Sequence, residues 1–155
     1  IVAIIAFVLI STIGLNWNRV TSYLNVSDTQ KALLEIRSYI NQTYSGSTNF
    51  NDLTDEVVLN AKLVPQSMIR GNNIVNAWNG NVTFAPADGG DNFSITLTSI
   101  PQGECVKLAL FQPAAWSIVE INGTSFDVEQ RSVGQVSGAC IDGANTLTFT
   151  ASRLY

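Results

Sequence analysis

The sequence predicts an α+β fold in which a long N-terminal α-helix packs against the antiparallel β-sheet of a globular head. Three observations lead to this prediction. An uncharged apolar run opens the chain, helical periodicity continues as far as Tyr44, and short strand patterns separated by turn residues follow. They divide the chain into an apolar helix half over residues 1–18, an amphipathic helix half over residues 19–45 and a head over residues 46–155.

The opening run contains no charged side chain before Arg19. Leaving an Ile, Leu or Phe side chain in water costs about 2 kcal/mol, so the run must lie in a bilayer, in a partner or among other copies of the chain. A helix of residues 1–18 is about 27 Å long, close to the roughly 30 Å of a bilayer's hydrocarbon core. A cleaved signal peptide is disfavoured because neither a basic start nor a small-residue cleavage site flanks the run.

Helical spacing continues past the apolar run. No Gly or Pro occurs from Asn18 to Tyr44, and apolar residues recur three, four and seven positions apart. Ser45-Gly46-Ser47 supplies a stop signal. We therefore expect one nearly continuous helix from Ile1 to about Tyr44, with its softest point near Gly14, since glycine costs up to about 1 kcal/mol in a helix. A membrane anchor followed by a separate helix is the alternative.

The sequence of the head predicts short helices and strands joined by turns. Alternation is clearest over Phe93–Ser99, where Phe93, Ile95 and Leu97 share one face. The remaining predicted elements are a helix over Asp55–Ala61, strands over Ile74–Ala77 and Asn81–Ala85, a helix from Pro101 through Phe111, a hairpin of Trp116–Ile121 and Thr124–Val128 turning at Asn122-Gly123, and a strand over Thr146–Ala151. Together they predict an antiparallel sheet packed on the second half of the long helix.

Composition excludes several classes of function. The net charge is −4 and the pI is near 4.5, without a basic stripe, so binding to nucleic acid is not expected. The chain contains no His, which removes most hydrolytic triads and His-ligated zinc sites. We expect no enzyme activity, no catalytic residue, no metal and no cofactor. Asn, Thr, Ser and Gly replace charged residues, as in extracellular domains.

The two cysteines, Cys105 and Cys140, allow a single pairing. In a chain with few charges and an export-like start, a disulfide is favoured over two free thiols or a metal site. Such a cross-link stabilises a fold by about 3–4 kcal/mol in the chain-entropy model.

Two other constellations have plainer interpretations. Asp88-Gly89-Gly90-Asp91-Asn92 offers oxygen ligands of the kind that calcium prefers, but its spacing fits no standard calcium loop, so a turn is favoured. Trp78 and Trp116 are candidates for sugar binding, although tryptophans in a small core usually pack.

The order of these residues resembles the type IV pilin family and, within it, the type IVb branch. The apolar helix that runs into an amphipathic half corresponds to the family's assembly element. LVPQSM, followed by IVNAWNGNVTF and FSITLTSIPQGECVKL, is similar to the type IVb pattern of an apolar-Val-Pro segment, a Trp-x-Gly turn and a strand-to-helix step carrying the first cysteine. Cys140 fits the disulfide that closes the family's C-terminal region, and the style is similar to thin-pilus pilins of conjugative plasmids and related enteric pilins.

The resemblance implies a major structural subunit that polymerises with identical copies into a type IVb-like helical pilus, for conjugation, adhesion or aggregation. Before assembly the subunit would lie in the bacterial inner membrane, and the pilus assembly machinery would move it into an extracellular filament. The residues expected to pack in the filament core are Ile1, Ile4, Ile5, Phe7, Val8, Leu9, Ile13 and Leu15.

Alternatives to a major pilin remain open. They are a minor pilin or secretion pseudopilin, and a membrane-tethered extracytoplasmic binding domain that does not polymerise. Mature pilins start with a methylated residue and carry a Glu near the fifth position, whereas no acidic residue precedes Asp28 here. We therefore expect a few residues, that Glu among them, to precede Ile1.

Overall fold

The first helix, α1, covers residues 25–43 of the computed structural model, which describes residues 25–152. Its buried side chains recur every three or four positions and so lie on one face. They are Val26, Thr29, Leu33, Ile36 and Ile40, with Asn41 beside Ile40 and Tyr44 just after the helix. Lys31 and Glu35 are exposed on the opposite face. This is the amphipathic stripe that the periodicity predicts for this part of the helix.

Aromatic contacts connect the end of α1 to the sheet. The ring centroids of Tyr44 and Phe50 lie 5.1 Å apart, and those of Phe50 and Phe93 are also 5.1 Å apart. Burial raises the pKa of the Tyr44 hydroxyl, and a hydrogen bond with Asp52 and that residue's negative charge raise it further. The helix end, the following loop and the sheet therefore form one packed unit.

The remaining elements follow α1 in chain order. The helices are α2 (Asp55–Asn60), α3 (Gln102–Ala109) and α4 (Val133–Ala139). The strands are β1 (Ile69–Arg70), β2 (Asn73–Ile74), β3 (Val82–Ala87), β4 (Asn92–Ile100), β5 (Ile118–Ile121), β6 (Thr124–Asp127) and β7 (Asn145–Ser152). Short 3-10 turns occupy Gln66–Met68, Asp88–Gly90 and Pro113–Ala115.

The main sheet has five antiparallel strands in the order β3-β4-β7-β5-β6, and β1 pairs with β2 separately. β7, near the end of the chain, therefore lies at the centre. Phe93, Ile95 and Leu97 of β4 are buried, as the alternation predicts, whereas the intervening Ser and Thr are partly exposed. One face of the sheet thus contributes to the core that also contains the α1 stripe, and the predicted α+β fold with an antiparallel sheet is confirmed.

Some element boundaries differ from the prediction for identifiable reasons. The strand predicted at Ile74–Ala77 ends at Ile74, because the Asn76 side chain accepts hydrogen bonds from the backbone N–H groups of Trp78 and Gly80 and forms a turn. α3 ends at Ala109 rather than at Phe111, and Gln112 adopts a left-handed conformation with φ 46° before Pro113. The prediction contained neither β1 nor α4.

Replacing Ile36 by Ala should lower the free energy of unfolding by about 2–5 kcal/mol, because it removes a fully buried side chain between α1 and the sheet. Urea denaturation followed by the fluorescence of the buried Trp116 measures this change. Lys31→Ala, on the exposed face of the same helix, is the matched control and should change it by less than about 0.5 kcal/mol. Equal effects of the two variants would contradict this packing.

Candidate functional site: the disulfide-closed C-terminal region

A disulfide joins Cys105 in α3 to Cys140 at the end of α4. The two Cα atoms lie 6.0 Å apart and are separated by 35 residues, so the bond encloses β5, β6 and α4. Both cysteines are buried. Gln102 adds a hydrogen bond from its Nε2 to the carbonyl oxygen of Cys140, at 3.1 Å. The segment from Cys105 to Asn145, called here the C-terminal region, is thus held together by the disulfide and by this hydrogen bond.

Asn145 is the central polar residue of this region and is fully buried. Its Nδ2 donates to the carbonyl oxygens of Ile100 at 3.0 Å and Ile141 at 2.9 Å. Its Oδ1 accepts from the backbone N–H of Ile141 at 2.8 Å. One side chain therefore fixes the chain after the disulfide to the end of β4, where β7 enters the sheet.

Asn122 extends this network to the β5–β6 hairpin. Its Nδ2 donates to Asn145 Oδ1 at 2.8 Å and to the carbonyl of Ala139 at 3.2 Å. Its Oδ1 accepts from the backbone N–H of Thr146 at 2.9 Å. Asn122 and Gly123 have φ of 50° and 91°, the left-handed values that a two-residue hairpin turn requires. The turn residue that the sequence identified thus also joins β6, α4 and β7.

Arg131 covers the end of the edge strand β6. Its Nε donates to the carbonyl oxygen of Asp127 at 3.2 Å, while the N–H of Asp127 donates to Gln130 Oε1 at 3.3 Å. Because exposed edge strands pair with other chains, these side-chain bonds leave less of β6 free for such pairing. Arg131 also donates to the carbonyl of Trp116, tying β6 to the start of β5.

Three N–H donors around Trp116 are buried without a hydrogen-bond partner: Arg37 Nε, Trp116 Nε1 and Arg131 Nη1. The Arg37 guanidinium lies 6.0 Å from the centroid of the Trp116 ring, within the range of a cation–π contact. Burial lowers the pKa of both arginines, and the negative charge of Asp127 partly offsets this for Arg131. Trp116 is fully buried and packs on Phe149 at 5.2 Å, so it is a core residue and is not exposed for sugar binding.

The outer part of the C-terminal region presents apolar side chains to solvent. Val128, Val133 and Ile141 are 49%, 65% and 54% exposed. Ser132 is the N-cap of α4, and its hydroxyl accepts a hydrogen bond from the backbone N–H of Gln135. Ser132-x-x-Gln135 is a capping-box pattern, and that pattern was the sequence signal that could have identified α4 despite its two glycines.

The predicted filament-core residues belong to a part of the chain that the structure does not describe. The filament-core residues Ile1, Ile4, Ile5, Phe7, Val8, Leu9, Ile13 and Leu15, and the weak point Gly14, lie outside the described residues.

The loop from Asp88 to Asn92 is described and forms a 3-10 turn. Within it, Asn92 Nδ2 donates to Asp88 Oδ2. Gly90 lies so close to Asn51 that an added Cβ would be 2.1 Å from its Oδ1. Among residues 25–152, no group of three or more Cys, Asp or Glu side chains is arranged to hold a metal ion.

Comparison with known proteins gives one family match. The model of the family described as PilS N-terminal matches residues 24–152, which include all of the described residues and more than half of the chain. No curated protein matches the sequence. Within the described part of the chain, no helix is both long enough and apolar enough to span a membrane.

Solved structures that share the fold include two type IV pilins. The type IVb pilin from Salmonella typhi has a TM-score of 0.60 and 20% sequence identity, over 76% of this chain and 94% of that one. TcpA, a type IV pilin from the El Tor biotype of Vibrio cholerae, has a TM-score of 0.60 and 12% identity, over 83% of this chain and 99% of that one. These likenesses establish a type IV pilin fold.

Replacing both cysteines by Ala should lower the free energy of unfolding by about 3–4 kcal/mol, because the unfolded chain gains the entropy of a loop of 35 residues. Urea denaturation of the variant and of the oxidised parent measures the difference. The parent unfolded with a reducing agent is the control, since it should show the same loss. An unchanged urea midpoint in the double variant would contradict a stabilising role for the bond.

Asn145→Ala should cost at least about 1–3 kcal/mol, because it leaves buried backbone groups near Ile100 and Ile141 without their partner. Thr146→Ala is the neighbouring control, as the Thr146 side chain is exposed. Thermal unfolding of both variants, with the disulfide intact, measures the effect. A loss at Thr146 equal to that at Asn145 would contradict the proposed network.

Proposed function

This chain belongs to the PilS family of type IV pilins, in the type IVb branch, and we propose that it is the major structural subunit of a pilus filament. The observation that carries this proposal is the family match over residues 24–152, because it includes α1, the sheet and the whole disulfide-closed region. As a pilin the chain is a pilus subunit. We propose further that it is the main component of the filament and that the filament serves conjugation, adhesion or aggregation.

The proposed assembly depends on a segment with two apolar environments. Residues 1–18 would lie in the inner membrane before assembly and then among the helices of neighbouring subunits. Both environments are apolar, so the exchange costs little, and packing decides the arrangement. Contacts between unlike surfaces of identical subunits that do not close on themselves generate a helical filament. The pilus assembly machinery would supply the work of moving the subunit out of the bilayer.

The head supports a role on the outside of such a filament. The face of the sheet turned away from the core is rich in Ser and Thr, as in Thr96 and Thr148, whose hydroxyls lie 3.0 Å apart. The C-terminal region is held by a disulfide and by the Asn122–Asn145 network. These features suit a protein that must stay folded outside the cell, where oxidising conditions preserve disulfides.

Ile5→Asp should abolish filaments while leaving the head folded, because a carboxylate among apolar helices loses its hydration without a partner. Electron microscopy and mass spectrometry of sheared surface material measure filament formation and composition. Head folding is read from the intact Cys105–Cys140 bond on non-reducing gels and from resistance to protease.

Thr48→Asp places the same charge in the exposed loop after α1 and is the control, which should leave filaments unchanged. Normal filaments from Ile5→Asp would contradict the proposal. Filaments that contain this chain only rarely would indicate a minor pilin instead. If deletion of residues 1–20 only mislocalised function, a tethered binding domain would be indicated.

A further inference from the structure

The β5–β6 hairpin turns at an Asn-Gly pair, the dipeptide in which an asparagine side chain is most easily attacked by the backbone. The backbone nitrogen of the second residue attacks the side-chain carbonyl carbon of the first, and glycine has no Cβ to hinder the approach. The chain contains a second such pair, Asn79-Gly80, in the turn before β3. Asn122 and Asn79 are both exposed to solvent, so burial protects neither side chain from this reaction.

Hydrogen bonds fix the side chain of Asn122 in the folded head. Its Nδ2 donates to Asn145 Oδ1 at 2.8 Å and to the carbonyl of Ala139 at 3.2 Å, and its Oδ1 accepts from the N–H of Thr146 at 2.9 Å. Attack requires the amide carbon to move within bonding distance of the Gly123 nitrogen. Because the amide is held by three bonds to α4 and β7, these bonds must break before the reaction can begin.

The second pair is protected through its nitrogen instead. The N–H of Gly80, which would have to attack Asn79, donates to Asn76 Oδ1 at 3.0 Å. Gly80 is buried, and a Cβ added to it would lie 2.0 Å from the carbonyl oxygen of Thr98 in β4. The groups that protect Asn79 therefore lie outside the C-terminal region, whereas those that protect Asn122 lie in it or at the start of β7.

We propose that Asn122 is a self-modification site that the closed C-terminal region protects and that local opening of this region exposes. On opening, the Gly123 nitrogen forms a bond to Asn122 Cγ and the bond from Cγ to Nδ2 breaks. Nδ2 leaves as ammonia with the proton that the Gly123 nitrogen loses. Water then opens the resulting succinimide ring at one of its two carbonyl carbons, which gives aspartate or isoaspartate. Water is the only co-reactant.

The modified side chain no longer fits the junction. A carboxylate has no hydrogen to donate, so at position 122 it brings a negative charge against Asn145 Oδ1 and the Ala139 carbonyl, which are both acceptors. Isoaspartate also lengthens the main chain within a two-residue turn. An opened head therefore becomes permanently marked and closes less well than before. This inference concerns a single subunit and does not depend on the proposed filament.

The test follows Asn122 and Asn79 in the same full-length chain, purified in detergent and incubated at one pH and temperature. Peptide mass spectrometry measures the rate at which each asparagine becomes aspartate or isoaspartate. The parent is compared with two variants that loosen the C-terminal region, the double variant Cys105→Ala, Cys140→Ala and the single variant Asn145→Ala. Thr146→Ala is the matched control, because it keeps the backbone N–H that Asn122 accepts.

Folded parent should convert at Asn122 at least tenfold more slowly than parent that is reduced and unfolded in urea. In both loosened variants the rate at Asn122 should rise at least tenfold, whereas the rate at Asn79 stays within twofold of the parent. Thr146→Ala should match the parent at both positions. Equal rises at Asn122 and Asn79 would place the reaction in the globally unfolded chain and overturn the inference. Rapid conversion of Asn122 in the folded parent would overturn it as well.

If one loosened variant does not fold, the other decides the question together with folded parent whose disulfide is reduced without denaturant. In that reduced parent the rate at Asn122 should again rise at least tenfold while Asn79 keeps its rate. An unchanged rate at Asn122 in every loosened form would contradict protection by the closed region.

The consequence of the modification is tested with Asn122→Asp, the product placed in the chain from the start. Protease should cut this variant within residues 105–145 at least tenfold faster than the parent, with the disulfide intact in both. Asn79→Asp adds the same charge at the other exposed turn and is the control, which should stay within twofold of the parent. Equal resistance of Asn122→Asp and the parent would show that the modified region closes normally, against the inference.

Discussion

The packing of α1 against one face of the sheet is the constraint on which the rest of the structure depends. Phe93, Ile95 and Phe149 are all fully buried, and a sheet with such an apolar face requires a covering element. The α1 stripe belongs to the same core, through Leu33, Ile36 and Ile40. Because the covering helix also leads toward the apolar N-terminal segment, the element that completes the head is the one that would connect it to a filament. A shift of α1 would therefore change the head and the assembly contact together.

The central position of β7 explains why the C-terminal region carries so many tertiary anchors. Residues between α3 and β7 form the β5–β6 hairpin, which makes up one edge of the sheet, and then α4, before the chain enters the sheet again as the strand between β4 and β5. Pairings between residues distant in sequence are costly in chain entropy before they form. The disulfide shortens the loop that has to close between α3 and β7. The side chain of Asn145, at the start of β7, is hydrogen-bonded to the carbonyl of Ile100 at the end of β4. The pairing of β7 within the sheet is thus supported by the disulfide and by the hydrogen bonds of the Asn145 side chain.

The two sides of the head have different chemistry, which suits a subunit with an inside and an outside. The inner face of the sheet is apolar and shares its core with α1, through residues such as Ile95, Phe149 and Ile36. The outer face of the sheet carries hydroxyl side chains such as Thr96 and Thr148, and the C-terminal region presents Val133 and Ile141. In the proposed filament, the inner face would stay covered by α1. The outer surface would face solvent or a partner, with few charges and many neutral polar groups to keep it hydrated.

The sequence by itself determined the elements whose burial follows a regular period: the stripe of α1, the alternation of β4 and the hairpin turn at Asn122-Gly123. It also indicated the cysteine pairing and, through the order of its motifs, the family. Only the tertiary structure decided that β7 lies at the centre of the sheet, that Asn145 is a buried junction and that Arg131 covers an edge strand. Local periodicity records which side chains avoid water, whereas these roles depend on hydrogen bonds between distant parts of the chain. An asparagine in a turn has the same local pattern whether it faces solvent or holds the fold together.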